Sequence, residues 1–473
     1  MRDAVGLALL SLSLVGVGLP ASMSLQRRLG LSSLGLVGLA YMVGFVVVGV
    51  VASWLAILGI GLRRDTLVLV GLVGAGWLAW GRRRGRVRFE RSPALVLEEG
   101  IVLALLVFVG GILTWALVES PLRVSDGIAI WAMKAHALYE TGSVSGPVFT
   151  GHEYAAPTHT DYPIFLPSIE ALLSRFLGRY DQALLDVEFG PLLVGFGVAA
   201  WALLRPVAHR WLAVIVPVVV VGNANIAGSL RDNYADGVLA LLVGLAVVCV
   251  VRWTSEGGRS LMALATLFLI GAAWTKNEGL LFSVALLLVT GVIAGLRGRA
   301  WRQPALALAG VVLAILPWRL HLAFAGVGNT DYAVSDLLDP GLLASRSARP
   351  LAAGERLVHD IVWAWQGLSW LALAAIVAAI VVGRLWEPAL TAAWMVLSLT
   401  GLILIYSISG WPIQLHLDTS AGRVVASVVV GAAMVSPIFL TQALDSVGAQ
   451  RLWFGLPQLL RRQANPANPR RDE

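Results

Sequence analysis

A chain of 473 residues that is 58% hydrophobic and 13% charged, with a mean hydropathy of +0.79, lacks the charge of a soluble domain, where about a quarter of residues are charged. Its formal charge of +7 and pI near 10.0 come almost wholly from arginines in short loops between apolar runs, a distribution set by membrane topology rather than by nucleic-acid binding. Its one cysteine, Cys249, lies in an apolar run, which excludes an intramolecular disulfide and argues against a thiolate metal site.

Apolar runs of ~20 residues recur from end to end, each long enough to cross ~30 Å of hydrocarbon as a helix. They are continuous rather than alternating, so they read as helices and not as barrel strands. Roughly thirteen spans are expected, near 4–24, 33–62, 66–81, 95–118, 183–204, 211–228, 234–251, 261–275, 279–296, 303–325, 361–383, 388–409 and 424–443. Residues 1–24 read as an uncleaved first helix rather than a signal peptide. The expected fold is an all-α polytopic membrane domain over residues 1–450, followed by a basic cytoplasmic tail over 451–473.

The strongest basic run, Arg82-Arg83-Arg84 with Arg86, Arg88 and Arg91, belongs in the cytoplasm. Alternation then puts Arg205, Arg252, Arg297, Arg384 and the tail arginines on the same side. It puts residues 119–182, 229–236, 274–280, 326–360 and 410–423 outside. In the large outer loop, Ile128, Trp131, Ala135 and Leu138 make an apolar stripe at helical spacing. Residues 164–182 make a second amphipathic pattern, broken by Glu170, Arg175 and Arg179. Both are expected to lie along the membrane surface.

The ionisable residues gather in these outer interruptions, where a membrane protein places a site. Ser125-Asp126-Gly127, followed by Trp131 and Lys134, offers a carboxylate able to act as general base or simply as a helix cap. His159-Thr160-Asp161-Tyr162-Pro163 is a stiffened acid-aromatic segment, or a turn that starts a helix. Arg231, Asp232 and Asp236 open one span, and Asp236, a turn inside, needs a partner or a watered cavity. Lys276 and Glu278 stand between two spans with almost no gap, able to pair with each other or to meet a lipid phosphate. His416, Asp418 and Arg423 open the last span, and Arg319 ends an earlier one. Both arginines are candidates for phosphate. His152, His159 and Asp161 lack the tight spacing of a metal site, so no cofactor is expected and a divalent ion is not favoured.

Taken in order, the first-loop Asp126 ahead of Trp131 and Lys134, Asp161-Tyr162-Pro163, Tyr234-Ala235-Asp236, Thr275-Lys276-Asn277-Glu278-Gly279 and His416-Leu417-Asp418-Thr419-Ser420 with Arg423 resemble the GT-C membrane glycosyltransferases. The resemblance is to the protein O-mannosyltransferase and aminoarabinose-transferase branch and covers roughly residues 95–440. It implies a sugar donor on polyprenyl phosphate, inversion at the anomeric carbon and a bacterial-type plasma or inner membrane with the site facing the periplasm or exterior. It also implies Asp126 as the base for an acceptor hydroxyl, with Asp161 assisting. Lys276, Arg319 and Arg423 would sit at the leaving phosphate, and Lys134, His159, Tyr162, Asp236, Glu278 and His416 would line the substrate cavity. The acceptor is a glycan, lipid or protein. The chain departs from better-known members in having Gly127 after Asp126 and no sizeable soluble domain after the last helix. A transporter or lipid flippase is the rival reading, and an envelope scaffold the third.

Overall fold

The computed structural model describes residues 2–84, 93–119, 124, 126–151, 153–154 and 158–463, with residues 93, 94 and 447–463 described by backbone alone. Every regular element among them is helical. Among the described residues nine helices are long and apolar enough to cross a membrane, and up to eleven if each of two bent pairs is one span. The chain thus has the helices of an integral membrane protein.

Each apolar run has its helix, yet the expected thirteen spans reduce to nine to eleven among the described residues for local reasons. Arg64–Arg83 carries charge at both ends, and Arg259–Thr275 is only 17 residues long. The run at 211–228 is broken: Arg210–Val221 and Ala224–Arg231 meet at 42° where Asn223 caps the second helix, accepting from Asn225 N at 3.0 Å. The helix Gln366–Val381 follows a 95° bend after Arg349–Ala364. The long second run stops at Ile57, before Gly59 takes a left-handed φ of 73° that glycine alone adopts freely. The helix Ala426–Gln463 carries on through residue 450, where a boundary with the tail was expected.

Ala235–Glu256 is the axis of the bundle. It is apolar on all sides, its hydrophobic window is wholly buried, and it packs against Ala426–Gln463 and Arg259–Thr275. Its ends carry opposite chemistry. Asp236 lies in the first turn, and Arg252 near the last turn bonds Glu256 at 2.7 Å and Leu203 O at 2.7 Å. The neighbouring ends gather around Arg252: Arg205 meets Glu98 at 3.2 Å, and Arg297 meets Glu387 at 3.3 Å and Thr254 O at 2.9 Å. Arg205, Arg252 and Arg297, three of the basic residues that one parity assigned to one side, therefore share one end of the bundle, Asp236 and Lys276 lie at the other ends of the helices that carry Arg252 and Arg297, and Arg86, Arg88 and Arg91 lie outside the described residues. The 22-residue helix Ala235–Glu256 is about 33 Å long at 1.5 Å per residue.

The helix Phe165–Leu177 corrects the surface expectation for 164–182. It is buried on nearly every face between Arg2–Leu29, Ser33–Ile57 and Met133–Thr141, with Glu170 inside. Arg175 is tolerated because it donates to Leu62 O at 2.7 Å and Leu138 O at 3.1 Å. The first amphipathic segment is a π turn, Gly127–Ala132, running into Met133–Thr141, with Trp131 and Leu138 buried along its stripe.

Arg2–Leu29 and Ser33–Ile57 cross through glycines, as small residues let helix backbones approach in a bilayer. A Cβ on Gly18 would strike Ala40 O, and one on Gly44 would strike Leu14 O. Gly44→Ala is expected to lower the melting temperature of the solubilised protein, at a cost of about 1–3 kcal/mol from overpacking. Gly100→Ala, where nothing lies within 4 Å, should leave it unchanged or slightly raised. Equal melting temperatures for the two variants would contradict the crossing.

Candidate functional site

A cavity of about 230 Å³ opens at the end of the bundle away from the Arg252 cluster. Lys276 forms its floor. The residue is extended, φ −159° and ψ 158°, at the break between Arg259–Thr275 and Asn277–Leu296. This break brings the buried ammonium within 2.9 Å of Asp236 and 3.0 Å of Glu278. Burial opposes the charge, but these carboxylates hold it above the ordinary lysine value. Glu278 Oε2 is buried at this floor without a hydrogen-bond partner.

Asp126 also lines the cavity. It precedes the π turn but makes no capping hydrogen bond, and its carboxylate meets Arg423 Nη2 at 3.3 Å instead. The cap alternative is therefore excluded. The Arg423 guanidinium lies 3.8 Å from the Tyr234 ring centroid, and its Nε is buried without a partner. A planar cation with one free donor edge beside a cavity is suited to an incoming anion.

A third group was not foreseen. Asp331 follows the helix Arg302–Phe324 and accepts from Tyr162 OH at 3.2 Å and Trp411 Nε1 at 2.9 Å, with His159 Nδ1 at 3.4 Å. Burial opposes its ionisation, but His159 and the Trp411 N–H outweigh it and hold the carboxyl at about 2. His159, Tyr162 and Trp131 stack in succession, with ring centroids 4.8 Å and 5.8 Å apart. His416, with Nδ1 2.8 Å from Ser409 Oγ, and Tyr406, bonded to Ser420 at 2.7 Å, close the remaining wall.

Of the residues singled out in the sequence, Asp126, His159, Tyr162, Asp236, Lys276, Glu278, His416 and Arg423 line this one cavity. Lys134, Asp161 and Arg319 do not. Lys134 is buried behind it and donates to His159 O at 2.6 Å, fixing the backbone where His159 takes φ 45°. Burial pushes the Lys134 amine down to about 7, with Asp161 opposing. Asp161 accepts from Asn277 Nδ2 at 2.8 Å and Thr330 Oγ1 at 3.0 Å, and Arg319 donates to Asn277 Oδ1 at 2.8 Å. These three brace the wall from behind. Among the tryptophans, Trp131 and Trp411 line the cavity, Trp365 bonds Gly422 O at 2.9 Å, and Trp363 is exposed. Asp331, Tyr332 and Tyr406 were missed; the cue for the first two was the polar Asn329-Thr330-Asp331-Tyr332 run in an outer interruption. Ser125 and His152 lie outside the described residues. Among the described residues no group of three or more His, Cys, Asp or Glu side chains converges as a metal-holding set.

Comparison of the chain with protein-family models, curated proteins and solved structures finds no match. The reading of the site rests on its geometry and on the sequence.

A second set of acids lies away from the cavity. Glu170, Asp186 and Glu188 are buried, and both Glu188 oxygens and Asp186 Oδ1 have no hydrogen-bond partner. Burial pushes the Glu170 carboxyl up to about 8, with the Asn233 amide opposing. The folded chain thus keeps a proton at Glu170 that the unfolded chain releases above 4.5, so stability declines as pH rises from 4.5 to about 8. Glu170→Gln is expected to raise the melting temperature by several degrees at pH 8 and little at pH 4.5. A gain that is equal at both values would contradict a protonated Glu170.

Proposed function

We propose that the chain is an inverting, GT-C-like glycosyltransferase that moves a sugar from a polyprenyl-phosphate donor to an acceptor hydroxyl on the non-cytoplasmic face of the membrane. The observation that carries the reading is the convergence of Asp126, Lys276 with its carboxylates, and Arg423 on one cavity from distant parts of the chain. Transfer from a phosphate-linked sugar needs a base beside the acceptor and cations beside the leaving phosphate. Asp126 takes the hydroxyl proton as the acceptor oxygen attacks the anomeric carbon. The carbon–oxygen bond to phosphate breaks on the opposite face, and its electron pair leaves with the lipid phosphate, which Arg423 and Lys276 stabilise.

The Asp126–Arg423 contact has a place in this cycle. At rest the guanidinium pairs with the Asp126 carboxylate. When phosphate reaches the free Nε edge of Arg423, the fork turns toward it and the carboxylate is released to act as base. Asp236 and Glu278 hold Lys276 charged, while Trp131 and Trp411 offer aromatic surface and Asp331 a fixed carboxylate to a sugar. Lys134, Asp161 and Arg319, lying behind the wall, are assigned to support rather than contact. The acceptor is a glycan, lipid or protein, and the chemistry is complete without a cofactor. The basic cluster at the far end of the bundle supports a cavity that faces away from the cytoplasm. A transporter or flippase is the second reading, favoured by Asp186 and Glu188, buried at the start of the apolar helix that runs to Leu204, because buried intramembrane carboxyls commonly serve proton relays.

A panel of polyprenyl-phosphate sugars, offered with membrane lipid extract, tests the proposal. Sugar incorporation is expected from one donor class and should fall at least ~10²-fold in Asp126→Asn, with the protein still inserted and folded. Near-wild-type turnover in that variant would remove Asp126 as base, and proton-coupled flux in vesicles without incorporation would favour the transporter.

Lys276→Ala should weaken donor binding and also lower the melting temperature, because it strands Asp236 and Glu278, a cost of about 3–5 kcal/mol. Adding Asp236→Asn and Glu278→Gln should restore stability but not donor binding. Restoration of both would leave Lys276 with a structural role alone.

A further inference from the structure

We infer that His159 takes up a proton when the site binds its anionic ligand, and that Asp331 is the residue that positions His159 for this. The inference rests on the lipid-phosphate reading and goes beyond it in assigning the group that completes the anion site.

Two acceptors fix the His159 tautomer. Thr330 Oγ1 donates its one proton to Asp161 Oδ1 at 3.0 Å, so toward His159 Nδ1, 3.1 Å away, it can only accept. Asp331 Oδ1, 3.4 Å from the same nitrogen, is an ionised carboxylate and also accepts. Nδ1 therefore carries the hydrogen. A neutral His159 keeps a lone pair on Nε2, the one ring nitrogen left for the cavity that His159 lines, and a lone pair repels a phosphate oxygen. Protonation converts Nε2 into a charged donor, and Asp331 stabilises the imidazolium that results.

The charge of the cavity gives the reason for uptake. Its lining carboxylates, Asp126, Asp236, Glu278 and Asp331, outnumber the permanent cations Lys276 and Arg423 by two. The first three carboxylates are shared between those cations, whereas Asp331 faces only the neutral donors of Tyr162 and Trp411 and the imidazole. Behind the wall, Asp161 and Arg319 meet through Asn277 and offset each other. Bringing a further negative charge into this excess is opposed by electrostatics, and one proton on His159 reduces the opposition at the place where it acts. The other groups around His159 are the Tyr162 ring stacked on it, the Lys134 amine on its carbonyl oxygen, and His416. His416 itself has Nδ1 on Ser409, and Lys276, Arg349 and Asp331 act on it, so it serves as the control imidazole.

The test is calorimetric binding of farnesyl methyl phosphate, a phosphodiester that does not itself titrate near neutrality, to the full-length protein in buffers of different ionisation enthalpy between pH 6 and 8. Net proton uptake is expected, with affinity rising severalfold to tenfold as pH falls. His159→Gln should bind with no uptake and no pH dependence. Asp331→Asn should lose most of the uptake and weaken binding at least tenfold at pH 6, while His416→Gln should keep the uptake. If Asp331→Asn does not fold, His159→Gln alone decides. Binding without proton exchange, uptake that persists in His159→Gln, or binding that requires added magnesium and exchanges no proton would each overturn the inference and leave the lipid-phosphate reading standing. No binding at any pH or metal concentration would overturn the lipid-phosphate reading itself, and the inference with it.

Discussion

A lysine buried at the break between two apolar helices has to be neutralised where it stands, and the site end of this bundle is built around meeting that requirement at Lys276. Removing water from an ammonium costs several kcal/mol unless partners replace it. The partners are Asp236 in the first turn of the neighbouring helix and Glu278 in the first turn of the helix that Lys276 itself precedes. Their contact pins the ends of three helices to one point. The next residue, Asn277, extends the network outward by bonding Asp161 on one side and Arg319 on the other. The first loop is thereby tied to the floor, and the buried Lys134 amine fixes the same loop through His159 O.

The consequence is a cavity whose charged groups are held by one another rather than by water. Asp126 and Arg423 pair directly on its wall, and Asp331 gathers a histidine and a tyrosine from the first loop and a tryptophan from a much later segment. Such groups are preorganised, so they need little rearrangement when charge develops on a reacting molecule. The opposite end of the same helices carries arginine–glutamate pairs instead, Arg252 with Glu256 and Arg297 with Glu387. One apolar bundle thus separates the end that holds the cavity from an end of arginine–glutamate pairs.

Much of this was legible in the sequence because a bilayer makes charge expensive and therefore informative. Every apolar run proved to hold a helix, and most of the residues picked from polar interruptions meet in one cavity. What escaped notice depended on packing. Lys134 looked like a substrate contact, yet its side chain turns inward to a carbonyl, and nothing in the spacing from Trp131 foretells this. Phe165–Leu177 looked interfacial because it carries Glu170 and Arg175, but surrounding helices bury the first and backbone carbonyls satisfy the second. Asp331 sits in a polar outer run that is a cue to a site residue, but its partners, Tyr162 and Trp411, are distant in sequence and only the fold brings them to it. The span count fell because bends at Asn223 and Trp365 divide runs that hydropathy joins, and because Arg64–Arg83 carries charge at both ends and Arg259–Thr275 is short.

The central claim is that this cavity receives a lipid-linked phosphate. Its most direct test is photo-crosslinking with a short polyprenyl-phosphate sugar that carries a photoreactive group on the first isoprene unit, followed by mass-spectrometric mapping of the labelled residues. Labelling is expected between Leu402 and Val424 and near Tyr234, where apolar Leu402, Ile405 and Leu415 line the cavity beside Arg423. It should be lost on competition with unlabelled lipid phosphate. Labelling confined to the Arg252–Glu387 end of the bundle, or insensitive to competitor, would contradict the account.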